Sequence, residues 1–205
     1  MTKDTKADKN EKHKAAMKKQ QENVHESIER ANVEKSVVVL LTGNGKGKSS
    51  SAFGMVMRAL GYGQKVAVIQ FIKGVQKSGE ELFIANHLPE VFFYQMNTGF
   101  TWDTQDRSKD EQAARKTWEK AAQALSNPEY DLVVLDELTY MLSFKYLDEQ
   151  TVLDTINARP EHQSVVITGR GGGAQLRDLA DTVSEVKDIK HAFNDGVAAR
   201  KGVDF

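Results

Sequence analysis

The unbroken apolar run Val37–Leu41, followed at once by TGNGKGKSS over residues 42–50, constrains this chain more than any other stretch. Five apolar residues with no polar alternation read as a strand buried on both faces. The glycines behind it turn the chain sharply. Ser49–Leu60 then reads as a helix that starts in the loop and is ended by Gly61 and Gly63. A buried strand, a glycine loop and a helix make a phosphate cradle. Backbone N–H groups can wrap an anion where no Cβ blocks the approach, and the helix points its positive end at the same place. The usual spacing is G-x-x-x-x-G-K-[ST]. Counted back from Gly47, its first glycine falls on residue 42, which here is Thr. The cradle candidates are Thr42, Gly43, Asn44, Gly45, Lys46, Gly47, Lys48, Ser49 and Ser50. Lys48 would add a full charge and Ser49 a hydroxyl for Mg²⁺. Lys46 is a second cation, which plain solvation also explains. The alternative for the whole loop is a βα turn with no ligand.

Beyond this loop, strands and helices alternate. Val66–Phe71, Val91–Gln95, Leu132–Leu135, Ser164–Thr168 and Thr182–Val186 read as further strands. Ser108-Lys109-Asp110-Glu111 fits a capping box ahead of a helix with Ala114, Trp118, Ala121, Ala122 and Leu125 on one face. A helix from about Asp148 must stop before Pro160, and Gln175–Ala180 is a short one. The fold class is therefore α/β: a mainly parallel sheet with helices on both faces. Residues 1–35 stand apart as a polar extension rich in Lys, Glu, Gln and Asn, without Gly, Pro or aromatic residues. Its first part reads as disordered and the rest as helical, with Met17, Val24, Ile28 and Ala31 on one thin stripe. Residues 36–205 form the nucleotide-binding domain.

The segment LVVLDE supplies the cradle's partner. Asp136 and Glu137 end a buried parallel strand, where carboxylates can reach a magnesium ion held at the phosphate loop. Loop and acid together imply Mg-ATP or a similar nucleotide. They leave the reaction open, and a P-loop ATPase or kinase acting on another small molecule fits them equally. Two other segments are unusual for plain core. NTGFTWDT, residues 97–104, sets Phe100 and Trp102 around Thr101, either as a plug at the core edge or as an apolar wall for a flat ligand. Residues 168–173, TGRGGG, offer Arg170 to phosphate or are a flexible turn. The five histidines show no metal spacing.

Bulk properties remove several classes. A net charge of −1 argues against an electrostatic binder of nucleic acid or membrane. The lysines between Lys3 and Lys19 are interleaved with acids and lack aromatic neighbours, so a nucleic-acid role is disfavoured. With no cysteine there is no disulfide, thiolate site or thiol nucleophile. No apolar run approaches the roughly 18 residues of a membrane span. The polar start MTKDTKADKNEKHK does not read as a secretory signal, and a cytoplasmic protein is expected.

Several segments in order, TGNGKGKSS, QFIKG, NTGFTWDTQ, VVLDELTYM, NARP, ITGRG and KHAFNDGVAARKGVDF, resemble the P-loop type of ATP:corrinoid adenosyltransferase, from about Val37 to Phe205. The resemblance implies a RecA-like fold working as a homodimer. It implies transfer of the 5′-deoxyadenosyl group of ATP to Co(I) of a corrinoid, with triphosphate leaving intact. ATP would lie reversed in the loop relative to ordinary P-loop enzymes. By position, Asn44–Gly47 and Lys48 would hold the triphosphate, and Ser49 and Glu137 would hold Mg²⁺. Lys48, Glu137, Phe100 and Trp102 would carry catalysis. Phe100 and Trp102 would press on the corrin and help displace its lower ligand. Arg58 would lie near the nucleotide, and Arg170 would be a weaker nucleotide contact. An electron donor such as a reduced flavoprotein is implied as a partner. An N-terminal helix able to close over an active site would give residues 17–34 a role.

Overall fold

The structure is a computed structural model that describes residues 6–72, 77–96 and 107–205. Phe100 and Trp102 therefore lie outside the described residues. The chain divides into two units, residues 1–35 and 36–205.

The first unit contains one helix, α1 (Lys6–Arg30). It starts well ahead of the Met17 stripe, because Lys, Glu, Gln and Ala favour helix whether or not an apolar face is present. Ion pairs one turn apart, Lys18–Glu22 and Arg30–Glu26, line its surface. Met17, Val24 and Ile28 are all exposed.

In the second unit, β1 (Val38–Thr42), β2 (Val66–Gln70), β3 (Phe92–Gln95), β4 (Leu132–Asp136), β5 (Ser164–Thr168) and β6 (Thr182–Glu185) form one sheet. The order is β3-β2-β4-β5-β1-β6, and every pairing is parallel. Central β2 and β4 are buried at every position, as continuous apolar runs require. Edge strand β6 is exposed throughout.

Alternation along the strands divides the core in two. Val38, Leu40, Ile69, Leu135 and Ile167 face one layer. That layer contains α4 (Arg107–Ser126), α5 (Leu138–Ser143), α6 (Glu149–Asn157) and α7 (Gly173–Leu179). Leu41, Val68, Val134 and Val166 face the other, formed by α2 (Lys48–Gly61) and α3 (Gly79–His87). Each large side chain buried this fully contributes about 1.5–3 kcal/mol. Ala114, Trp118, Ala121 and Leu125 of α4 are buried as their spacing predicts. The capping box is corrected: Arg107 is already helical, so Ser108 lies inside α4 and does not cap it. Arg107 donates to Glu111 one turn on and to the Phe144 carbonyl. Asp148 does cap α6, accepting from the Thr151 N–H at 2.8 Å.

The sheet order has one consequence for the site. The loop-bearing strand β1 and the acid-bearing strand β4 are separated only by β5. Three strand ends therefore open side by side at the carboxyl edge, where parallel sheets bind ligands. Among the described residues no helix is long and apolar enough to cross a membrane.

Candidate active site

The phosphate loop is pinned before any ligand arrives. The Val186 N–H donates to the Thr42 carbonyl at 2.8 Å, and the Gly45 N–H donates to the Val186 carbonyl at 2.7 Å. Gly43 sits at φ 101°, and a Cβ there would collide with that same Val186 carbonyl. Only glycine serves at this position. Thr42, standing where the usual pattern has its first glycine, is 1% exposed and donates its hydroxyl to the Gly171 carbonyl at 2.6 Å. It thus ties the loop after β1 to the loop after β5. Residue 47, a glycine, precedes α2, and no side chain caps the helix. The first-turn N–H groups are left for an anion. Lys48 is buried and donates from Nζ to the Gly45 carbonyl at 2.7 Å.

The acid end of β4 is built differently. Asp136 is 1% exposed, and both its oxygens are occupied. Oδ2 accepts from Gln70 Nε2 at 2.8 Å, and Oδ1 accepts from the Thr168 hydroxyl at 2.6 Å. Glu137 next to it has φ 59°, a left-handed conformation that costs a non-glycine residue roughly 1–2 kcal/mol. Its N–H donates to Thr168 Oγ1 at 2.9 Å. Its Oε2 is shielded from solvent and has no hydrogen-bond partner. A buried carboxylate oxygen without a donor is costly. Burial, and secondarily the Asp136 charge, push the Glu137 carboxyl up to about 7, against the pull of Lys48 and Arg170. The Lys48 ammonium is pushed down by burial, opposed chiefly by Glu137.

These groups line one open cavity of about 700 Å³. The structure brings together Asn44 through Ser50, Glu137 and Arg170. It does not bring Arg58 there. Arg58 is exposed in the last turn of α2, about 15 Å along the helix axis from Lys48. Thr42 and Gly43 shape the loop from behind and are not among the cavity's lining residues. The cavity also has a wall that sequence reasoning assigned no role: Asp188, His191, Phe193, Asn194, Val203 and Asp204. Asp204 accepts from Lys46 Nζ at 2.8 Å and from the Arg200 N–H at 2.8 Å. Those bonds, the Lys46 one first, hold its carboxyl below the usual range. The wall lacks any long regular element, so no periodicity announced it.

Fold and site together define a nucleotide-binding α/β protein of the P-loop class, with an anion cradle facing an unsatisfied carboxylate. The family model for ATP:corrinoid adenosyltransferase BtuR/CobO/CobP matches residues 34–205. The chain is 49% identical to a corrinoid adenosyltransferase of Pseudomonas aeruginosa, over 97% of this chain and 98% of that one. It is 45% identical to the corrinoid adenosyltransferase CobA of Salmonella typhimurium and 44% identical to the corrinoid adenosyltransferase of Escherichia coli K12. Each of these two comparisons covers 95% of this chain and 98% of the relative. The solved structure of a KaiC-like protein from Pyrococcus horikoshii aligns over 77% of this chain and 74% of that one, at TM-score 0.40 and 11% identity. This chain belongs to the ATP:corrinoid adenosyltransferase family and is an enzyme of that type.

Proposed function

We propose that the enzyme transfers the 5′-deoxyadenosyl group of ATP to Co(I) of a corrinoid and releases intact triphosphate. The observation that carries this reading is the meeting, in one cavity, of a pinned phosphate loop, Lys48 and the unpartnered Glu137 carboxylate. The substrates come from the family to which the chain belongs.

The cobalt electron pair forms a bond to C5′. The C5′–O bond breaks, and its electrons leave on the triphosphate. A metal nucleophile carries no proton, so no side-chain base is needed. The protein has to align C5′ with cobalt and neutralise the leaving group. Loop N–H groups and Lys48 perform the second task, with ATP reversed so that the loop grips a departing triphosphate. Arg170, on the cavity wall, adds a second cation. Phe100 and Trp102 press on the corrin, displace its lower ligand and make Co(II) easier to reduce.

Mg²⁺ fits the residues present. Glu137 offers an unsatisfied oxygen, and Ser49 adds a hydroxyl from the first turn of α2. Among the described residues no three His, Cys, Asp or Glu side chains cluster as a metal cage. One carboxylate, one hydroxyl and phosphate oxygens are the donor set that suits Mg²⁺. When bound, it spreads the charge of the triphosphate. The active form is a cytoplasmic homodimer, and a reduced flavoprotein supplies the electron.

Anaerobic incubation with Mg-ATP, a corrinoid and a chemical reductant is expected to yield adenosylcorrinoid. Its absence, with rapid release of ADP or orthophosphate when no corrinoid is present, would replace this reading with an ATPase or kinase.

A further inference from the structure

A chain of polar side chains, buried except for the half-buried Gln95, crosses the carboxyl ends of four neighbouring strands. Gln95 Nε2 donates to Gln70 Oε1 at 2.6 Å, and Gln70 Nε2 donates to Asp136 Oδ2 at 2.8 Å. Thr168 Oγ1 donates to Asp136 Oδ1 at 2.6 Å and accepts from the Glu137 N–H at 2.9 Å. The strand register sets this up, since Gln70 pairs with both Gln95 and Asp136. The plain reading is that the chain only satisfies buried groups. Three features go beyond that. Asp136 is 1% exposed, has both oxygens hydrogen-bonded and is not among the residues lining the cavity. The chain ends on the backbone of Glu137, which among the described residues is the one non-glycine residue lining the cavity with a left-handed φ. And that residue's own Oε2 is a buried atom without a hydrogen-bond partner, at the cavity.

We propose that Thr168 is a positioning residue: its hydroxyl, anchored on Asp136, holds the Glu137 backbone in the left-handed conformation that aims the carboxylate at the metal–triphosphate site. The proposal rests on the reading of Glu137 as the Mg²⁺ ligand. Neighbouring packing reserves the space for it. A Cβ at Gly169 would collide with Thr139 and come within 3.3 Å of Glu137 Oε2, so the carboxylate lies against bare backbone. Without the Thr168 hydroxyl, Glu137 can relax to an ordinary backbone conformation and its carboxylate swings away. Asp136 then has one oxygen free to compete for the cation in the wrong place. Gln70 and Gln95 keep Asp136 from turning.

The test is metal-dependent nucleotide binding by the full-length protein, with free Mn²⁺ read by electron paramagnetic resonance in the presence of ATP. ATP binding in EDTA is the control. Thr168→Val should weaken Mn-ATP binding by about tenfold or more, in the range seen when a group supporting a metal ligand is lost. Metal-free ATP binding should stay within about twofold, because the Thr168 hydroxyl bonds Asp136 and the Glu137 N–H and not the phosphate loop. Thr168→Ser should restore Mn-ATP binding. Thr168→Cys, which keeps the volume with a weak donor, should fall between them and serves if the valine variant does not fold. Mn-ATP binding by Thr168→Val or Thr168→Cys that matches the starting protein would overturn the proposal. So would equal loss with and without metal. If Glu137→Gln itself leaves Mn-ATP binding unchanged, the Mg²⁺ assignment fails first, and the two failures are thereby told apart.

Discussion

The loops after β1 and β4 do comparable jobs by opposite means. Each places an unusual backbone conformation just past a buried strand, at Gly43 with φ 101° and at Glu137 with φ 59°. After β1 the strain is absorbed by glycine, and backbone bonds to Val186 hold the loop in place. After β4 a glutamate takes the strained position, and a neighbouring threonine side chain holds it. The difference follows from what each loop must present. A cradle for an anion needs bare N–H groups, so side chains are an obstruction. A metal ligand needs a carboxylate, so the site must keep a side chain where glycine would be easier.

That comparison is sharpened first at Lys48, the one side chain the cradle does need. Lys48→Ala should lower ATP affinity and adenosylation together by about 100-fold, as loss of a buried charge-assisted contact does. Turnover falling without binding, measured by calorimetry beside initial rates, would separate the two roles and break the reading of the loop.

The acid side makes the opposite kind of prediction. Glu137 is raised from 4.5 to about 7 in the ligand-free fold. Its contribution to stability is therefore fully present below about pH 4.5 and is lost as the pH rises through 7. At pH 8 the ionised carboxylate costs the ligand-free protein on the order of 3 kcal/mol. Glu137→Gln should raise the Tm of the ligand-free protein at pH 8, hardly change it at pH 4.5, and weaken Mg-ATP binding more than tenfold. A Tm that falls at pH 8 would mean Glu137 is a structural group. Trp102→Ala should next reduce adenosylation by about tenfold with ATP binding nearly intact, if its proposed role is toward the corrin and not the triphosphate. Equal damage to both would make Trp102 packing alone. The smallest effect belongs to the partly exposed Lys46–Asp204 pair. Asp204→Asn should change ATP affinity by no more than about threefold.

The same contrast explains what the sequence made legible. Long apolar runs and glycines have local causes, so β1, β2, β4 and β5, the phosphate loop and the α/β class could all be read from residue order. Helices α3 and α5 could not. α5 is six residues long, and it sits behind Glu137 because the left-handed turn redirects the chain there. Nothing in LVVLDE tells Asp136 from Glu137. Only the pairing of Gln70, Thr168 and Asp136 across strands shows that one acid is consumed in structure and the other is free. Most of the wall from Asp188 to Asp204 lies in KHAFNDGVAARKGVDF, which carries part of the family resemblance, but its place against the phosphate loop was not legible for a similar reason. It is held by contacts such as Lys46–Asp204, between residues far apart in the chain. Arg58, implied by the resemblance to lie near the nucleotide, sits at the far end of the helix and outside the lining of the cavity.

The central claim is that the loop grips a leaving group and does not prepare a phosphoryl group for attack. Phosphorus-31 magnetic resonance of the products, taken beside a chromatographic count of adenosylcorrinoid, tests it most directly. One intact triphosphate is expected for each adenosylcorrinoid formed. ADP, pyrophosphate or orthophosphate appearing in step with turnover would contradict it.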